Sequence, residues 1–330
     1  MVNYNYVIRS NGNIMKKPIW VVTGGAGFIG SNIVEELVRR GKTVRVFDNF
    51  STGKKENLAP FMGRITLVKG DLRNPEHLKK GMKGATYVLH QAAFRSVPKS
   101  VDNPRAANDN NATGTLNALM AAKAAGVKRF VYAATSSAYG ECNIFPQKET
   151  IIPAPVSPYA VSKLAGEHYC RVFAKTYGLE TVAIRYFNVF GPRQNPESVY
   201  SAVIPKFMEL AISGKPLEIH WDGRQSRDFT YVSNVVDGNI RAALAKNVSG
   251  RMFNVATGTN ISLLDIISEL ERILGRKIQK TFLPRRAGDI RKTYADISLA
   301  RRALGYKPLV GFQEGLKLTW DYFSGRFGKI

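Results

Sequence analysis

The sequence predicts an α/β protein: a doubly wound parallel sheet of Rossmann type with a smaller C-terminal substrate-binding lobe. Three observations predict it. A glycine-rich turn, Gly24-Gly25-Ala26-Gly27-Phe28-Ile29-Gly30, follows an apolar run and precedes a helix-forming stretch. Apolar runs then alternate with helical stretches through the first half of the chain, the pattern of a parallel sheet covered by helices on both faces. From about Gly191 the alternation breaks into segments punctuated by proline and glycine, which reads as a second, loop-rich lobe.

The first strand is expected at residues 19–22. Three glycines follow at the spacing G-x-x-G-x-x-G: Gly24 for a tight turn, Gly27 for close approach of a pyrophosphate, and Gly30 for packing of helix on strand. Residues 31–40 read as the helix whose N-terminus turns its free N–H groups to the phosphates. Taken alone, such a glycine pattern could be no more than a turn. The second strand, 43–47, ends at Asp48, at about the 20-residue offset of a ribose-binding acid, and this context makes it a dinucleotide site. Further strands are expected at 65–69, 87–91, 129–133 and 181–186, and helices at 75–82, 111–125, 158–177 and 263–274. The predicted organisation is an N-terminal extension (1–17), a dinucleotide-binding domain (18–190), and a lobe (191–330) that mainly binds substrate, with some segments returning to the first domain. Ligands of such sheets bind beyond the carboxyl ends of the strands, so the cleft is expected between the lobes.

Composition narrows the function classes. The chain has 330 residues, enough for one large or two smaller cores, and 44% of them are hydrophobic. No apolar run approaches the ~18 residues of a membrane span. The residues before Met15 lack the apolar core of a signal peptide. Cys142 and Cys170 are too few for a disulfide framework, which favours a reducing, cytoplasmic setting. His77, His90, His168 and His220 show no metal-ligand spacing, so no metal is expected. The formal charge of +23 is concentrated partly in Arg285-Arg286, Arg291-Lys292 and Arg301-Arg302. No aromatic–basic stripe or nucleic-acid motif accompanies it, and the charge fits a small acidic substrate better than a nucleic acid.

Candidate chemistry begins at Tyr159-Ala160-Val161-Ser162-Lys163. Ser157-Pro158 is a helix start, and a spacing of four then puts tyrosine and lysine on one face. An ammonium favours the phenolate of a nearby tyrosine, which can then serve as general base on a sugar hydroxyl. Upstream, Phe130-Val131-Tyr132-Ala133-Ala134 runs as a strand into Thr135-Ser136-Ser137-Ala138-Tyr139-Gly140. Hydroxyls at the carboxyl end of a strand sit where cofactor and substrate should meet, although such a loop can equally cap its own backbone.

At this point the residues resemble the extended short-chain dehydrogenase/reductases, and within them the NAD-dependent nucleotide-sugar epimerases of the UDP-hexose 4-epimerase type. The resemblance runs from about Pro18 to Phe323. Its landmarks include the glycine turn, Asp48-Asn49, Gly70-Asp71-Leu72, His90-Gln91-Ala92-Ala93, Asn111 to Asn117, Thr135 to Gly140 and Tyr159/Lys163. Further along come the stretch from Arg185 to Pro192, Arg227-Asp228-Phe229, and Arg286-Ala287-Gly288-Asp289.

The resemblance implies that NAD is the cofactor. Gly24, Gly27, Phe28 and Ile29 would line its pyrophosphate, and Asp48, with Asn49 beside it, would hold the adenosine ribose. Asp71 and Leu72 would bracket the adenine; Gln91, Ala92, Ala93, Asn111 and Tyr186 would line the cofactor path. Tyr159 is then the base, Lys163 holds the nicotinamide ribose and lowers the tyrosine pKa, and Thr135 hydrogen-bonds the reacting O4. Asn188 would meet the diphosphate of a UDP-sugar, and Val203 with its neighbours the uridine. Arg227 and Arg286 would clamp the phosphates, and Asp289 a ribose hydroxyl. The remaining substrate contacts implied are Arg95, Ser96, Ser136 and Ser137.

The implied reaction is epimerisation at C4 of UDP-hexoses through a transient 4-keto sugar. Family dehydratases carry Asp-Glu after the threonine; Ser136-Ser137 cannot supply a carboxylate, so dehydration is not expected. Thr293 stands where a bulky tyrosine restricts the sugar pocket in epimerases confined to UDP-glucose and UDP-galactose. With Ser96-Val97-Pro98-Lys99-Ser100, it points to use of UDP-GlcNAc/UDP-GalNAc as well as UDP-glucose/UDP-galactose. The alternatives are a UDP-glucuronate 4-epimerase, with Arg95 meeting the C6 carboxylate, or a nucleic-acid-binding member of the same fold. The family's usual homodimer would form through the helices near 111–125 and 158–177.

Overall fold

A computed structural model describes residues 6–8, 14–195, 203–285 and 290–327. Its centre is a seven-stranded parallel sheet: β1 (Ile19–Thr23), β2 (Thr43–Asp48), β3 (Ile65–Lys69), β4 (Tyr87–His90), β5 (Arg129–Thr135), β6 (Thr181–Tyr186) and β7 (Arg251–Val255). The spatial order is β7-β6-β5-β4-β1-β2-β3, so the direction of winding reverses between β1 and β4. That reversal opens a crevice at the carboxyl ends of the two strands, the usual ligand position in such sheets. The predicted fold class is therefore borne out.

The strands form because their residues can be buried on both faces. Alternate side chains divide between two cores. Val22, Val46, Leu89, Val131 and Ile184 point to one side, and Val21, Phe47, Val88, Phe130 and Ala183 to the other. All seven residues of β5 are buried. The strand β7 comes from the C-terminal half and pairs with β6 from Arg251–Val182 to Val255–Tyr186.

The first helix, α1 (Phe28–Arg39), starts three residues before the expected position, because the turn ends at Gly27 and Phe28-Ile29-Gly30 already wind into it. In α2 (Pro75–Met82), the Asn74 side chain caps the N–H groups of Glu76 and His77. The expected helix 111–125 is not a single α-helix: a π-helical turn, Asp109–Thr113, precedes α3 (Gly114–Ala124). The longest helix, α4 (Pro158–Thr176), begins as expected at Ser157, whose side chain accepts from the Ala160 N–H at 3.2 Å.

Beyond β6 lie α5 (Val203–Ile212), α6 (Val232–Leu244), α7 (Leu263–Leu274) and α8 (Phe312–Phe327), with short paired strands among them. A third core joins Phe190, Phe207, Ile219, Phe229, Leu270, Phe312 and Phe323, and Phe28 and Ile29 of the glycine turn pack against it. The C-terminal segments thereby rest on the first turn of α1.

Candidate active site

A cavity of about 250 Å³ opens at the carboxyl ends of the central strands. Its wall contains Gly24, Gly27, Phe28, Ile29, Asp48, Asn49, Leu72, Gln91, Ala92, Ala93, Arg95, Tyr159, Lys163 and Tyr186. One space thus joins most of the expected cofactor residues to the tyrosine and lysine.

The glycine turn is tight for a steric reason. Gly24 has φ +66°, and a Cβ there would lie 2.7 Å from the Ala92 nitrogen. At Gly30 a Cβ would lie 2.1 Å from the Gly24 carbonyl oxygen. Gly27 is the N-cap of α1, with no side-chain cap and no acidic residue in the first turn. The helix N-terminus therefore turns backbone donors and partial positive charge toward the cavity. Asp48 stands across from it, accepting from the Ala26 N–H at 2.9 Å and the Phe50 N–H at 2.8 Å. Burial pushes its carboxyl pKa up, and those two backbone donors oppose the shift.

Two expected cofactor residues are off the wall. Asp71 accepts from Arg73 and from Asn49 Nδ2, and the Arg73 guanidinium above all holds its carboxyl well below the usual range. Its neighbour Leu72 reaches the cavity instead. Asn111 was expected along the cofactor path, but its amide clamps Phe94 from both sides, at 2.7 and 3.0 Å, and donates to Ser162 Oγ. The π-helical turn rotates it into the protein, and Asn110 lines the cavity in its place.

Tyr159 and Lys163 lie one turn apart on α4, and both reach the cavity. The Tyr159 N–H donates to Ser100 Oγ at 3.0 Å, which fixes the start of the helix. The expected acidification of Tyr159 by Lys163 is not found. Burial raises the phenol pKa, and the opposing influences are a hydrogen bond with the Thr135 side chain and the charge of Arg95. The Lys163 ammonium lies instead over the Tyr132 ring, 4.3 Å from its centre, and burial lowers its own pKa to about 7.

Thr135 ends β5 directly opposite Tyr186 on β6. Its hydroxyl accepts from the Ser137 N–H at 3.1 Å, so the Ser136–Tyr139 turn caps itself as well as offering Thr135 to Tyr159. The Tyr186 hydroxyl meets Gln91 Oε1 at 3.0 Å and the Asn239 amide at 2.8 Å, and Gln91 Nε2 donates to Asn239 Oδ1. Beneath the site His90 is fully buried between Thr23 and Thr115, and burial lowers its pKa to about 3, leaving it neutral.

The expected substrate residues are less concentrated. Thr135, Ser136, Ser137, Ser96, Asn188, Val203, Arg227 and Thr293 are not on the cavity wall. Ser96 caps the helix Val97–Asp102, Asn188 adopts φ +21° with its carbonyl accepting from the Thr230 N–H, and Val203 begins α5. Arg227 and Thr293 are partners on adjacent parallel strands. The buried Asp228 organises that region, accepting from the Thr257, Gly258 and Ala295 N–H groups. Arg286 and Asp289 lie outside the described residues.

The sequence profile of the NAD dependent epimerase/dehydratase family matches residues 20–256. The chain belongs to that family. Among solved epimerases of the family, a UDP-N-acetylglucosamine 4-epimerase from Methanobrevibacter ruminantium, in complex with UDP-N-acetylmuramic acid, is 40% identical. The match covers 95% of this chain and 100% of that one, with a TM-score of 0.90. The UDP-glucose 4-epimerase of Thermus thermophilus, in complex with NAD, is 37% identical over 93% of this chain and 99% of its own, with a TM-score of 0.84. A UDP-glucuronate 4-epimerase of Thermodesulfobacterium geofontis is 35% identical over 316 residues, 92% of this chain and 95% of its own.

The residues present fit the family's cofactor. The uncapped end of α1 suits its diphosphate, and the buried Asp48 carboxylate suits a ribose hydroxyl and disfavours a further phosphate. Members of this family were expected to bind NAD through the glycine turn; sequence reasoning missed the wall contributed by Asn57, Asn110, Arg193, Gln194, Asn195 and Phe323. Arg193 and Gln194 directly follow the Gly191-Pro192 landmark, but Phe323 comes from the last helix and no local signal points to it.

Proposed function

We propose that the chain is a UDP-sugar 4-epimerase that interconverts UDP-glucose with UDP-galactose, and UDP-GlcNAc with UDP-GalNAc, through a transient 4-keto sugar. The observation that carries this reading is the meeting of Tyr159, Lys163 and the glycine turn in one cavity, with the Thr135 side chain near enough to ease ionisation of the phenol. When bound, NAD supplies a reversible oxidation at C4. Tyr159 Oη takes the O4 proton and gives it back, while Thr135 orients the hydroxyl. Because the proton returns to the sugar, the reaction needs no path to bulk water, which suits a base buried beside Lys163. Ser136-Ser137 offer no carboxylate for a dehydration.

A UDP-glucuronate substrate is the second reading. Arg95 is on the cavity wall and its charge acts on Tyr159, where it could meet a C6 carboxylate. The α3–α4 face exposes Met120, Val161 and Val172, and we assign it to a homodimer interface. Purified protein incubated separately with UDP-glucose, UDP-GlcNAc and UDP-glucuronate, with and without added NAD, tests the function. Chromatography should resolve C4 epimers from the first two. Epimerisation of the glucuronate alone favours the second reading, and no epimer from any of the three overturns both.

A further inference from the structure

We propose that Arg193 is a ligand of the cofactor diphosphate, supplied by the segment after β6 and not by the glycine turn. Arg193 lies on the same cavity wall as Gly27, Phe28 and Ile29. Its side chain is only 13% exposed. One terminal nitrogen, Nη2, donates to Glu35 on α1, while the buried Nε has no hydrogen-bond partner in the protein. A buried guanidinium nitrogen without an acceptor is costly, and a phosphate oxygen is the acceptor its planar fork matches best.

The chain places this residue deliberately. Arg193 has φ +69°, the left-handed region that side chains other than glycine adopt at a cost. Helix α1 grips the segment at two points, through Asn32 Nδ2 on the Pro192 carbonyl at 3.1 Å and through Glu35 on Arg193. The helix that offers its N-terminus to the diphosphate thus also holds the arginine. Gln194 next to it lines the cavity too, and its Oε1 is likewise buried without a partner. Arg193 would add a full positive charge where the glycine turn supplies only backbone dipoles, and so hinder departure of the cofactor between turnovers.

This inference rests on the family's use of NAD, and its test uses the protein as purified. NAD per chain after repeated gel filtration, and the rate of NAD release on dilution, are measured for the parent, R193Q, R193K and E35Q. Loss of one charge-assisted contact corresponds to about 10- to 100-fold faster release from R193Q. R193K should fall between, since an ammonium keeps the charge but not the fork. E35Q, which keeps the guanidinium but weakens its anchor, should release NAD faster than the parent and clearly more slowly than R193Q. Release from R193Q at the parent rate overturns the proposal. Equal loss from R193Q and E35Q also overturns it, by making Arg193 a strut between α1 and its neighbour. If R193Q does not fold, release from R193K at the parent rate overturns it. A parent that carries no NAD overturns this assignment together with the cofactor reading, whereas failure of the variants alone leaves that reading intact.

Discussion

The Lys163 ammonium rests 4.3 Å from the centre of the Tyr132 ring, while the Tyr132 hydroxyl donates to the Lys163 carbonyl at 3.0 Å. One tyrosine thereby seats both ends of the lysine, and the strand β5 fixes the cation on the floor of the cavity. The aromatic face offsets part of the desolvation of the charge. Burial nonetheless lowers the lysine pKa to about 7 from its ordinary value of 10.5.

That depression has a consequence for stability. Between about pH 7 and 10.5 the unfolded chain holds a proton on this lysine that the folded protein has released. The unfolded state binds more protons in this window, so the contribution of Lys163 to stability rises with pH. K163M removes the titration. The stability of the parent relative to K163M, from denaturant midpoints without added nucleotide, should increase from pH 7 to pH 9 by on the order of 1 kcal/mol per pH unit. A difference that does not change with pH would show that the lysine keeps its ordinary pKa.

In the proposed reaction Tyr159 and Thr135 divide the proton chemistry, and their variants should separate. Tyr159→Phe removes the oxygen proposed to take the O4 proton and should abolish nearly all turnover, with the far-ultraviolet spectrum unchanged. Thr135→Val removes a hydroxyl that orients the reaction and should lower kcat by about 10²-fold. Because burial raises the Tyr159 pKa, parent activity should climb toward alkaline pH as more phenolate forms. Near-normal turnover by the phenylalanine variant would remove the assignment.

The sheet was legible because its strands are apolar runs that require burial on both faces, and the glycine turn because sterics at Gly24 and Gly30 admit nothing larger. The strand β7 was not, since Arg251-Met252-Phe253-Asn254-Val255 opens on a charge and finds its partner far away in β6. Asn111 sits within a π-helical turn, which periodicity cannot reveal, and its amide is engaged by Phe94 and Ser162. Phe323 joins the cavity through the packing of α8 against the third core, a tertiary fact without a local pattern. The two-residue strands that pair Arg227 with Thr293 are likewise set by distant partners.

Gly30→Ala tests how closely α1 must approach β1. The added carbon would lie 2.1 Å from the Gly24 carbonyl oxygen, a backbone atom that cannot rotate away. The helix must then lift from the turn, displacing the N–H groups that face the diphosphate. The variant should purify with little NAD and melt below the parent. Gly41→Ala is the control: it has φ +64° but nothing within 4 Å, so it should lose stability through backbone strain alone and keep its cofactor.

Thr293 sets the last expectation, which concerns the choice of sugar. It is half-buried beside Arg227, in a short strand held by the Asp228 contact to the Ala295 N–H. This anchoring leaves the backbone little freedom to retreat from a larger side chain. Thr293→Tyr should therefore overpack the space around a 2-acetamido group by about 1–3 kcal/mol, while a 2-hydroxyl still fits. The measurement is kcat/KM for UDP-GlcNAc relative to UDP-glucose, which should fall by about 5- to 150-fold. An equal effect on both substrates would place Thr293 away from the acetamido group, and the breadth of the sugar site would then have to come from another residue.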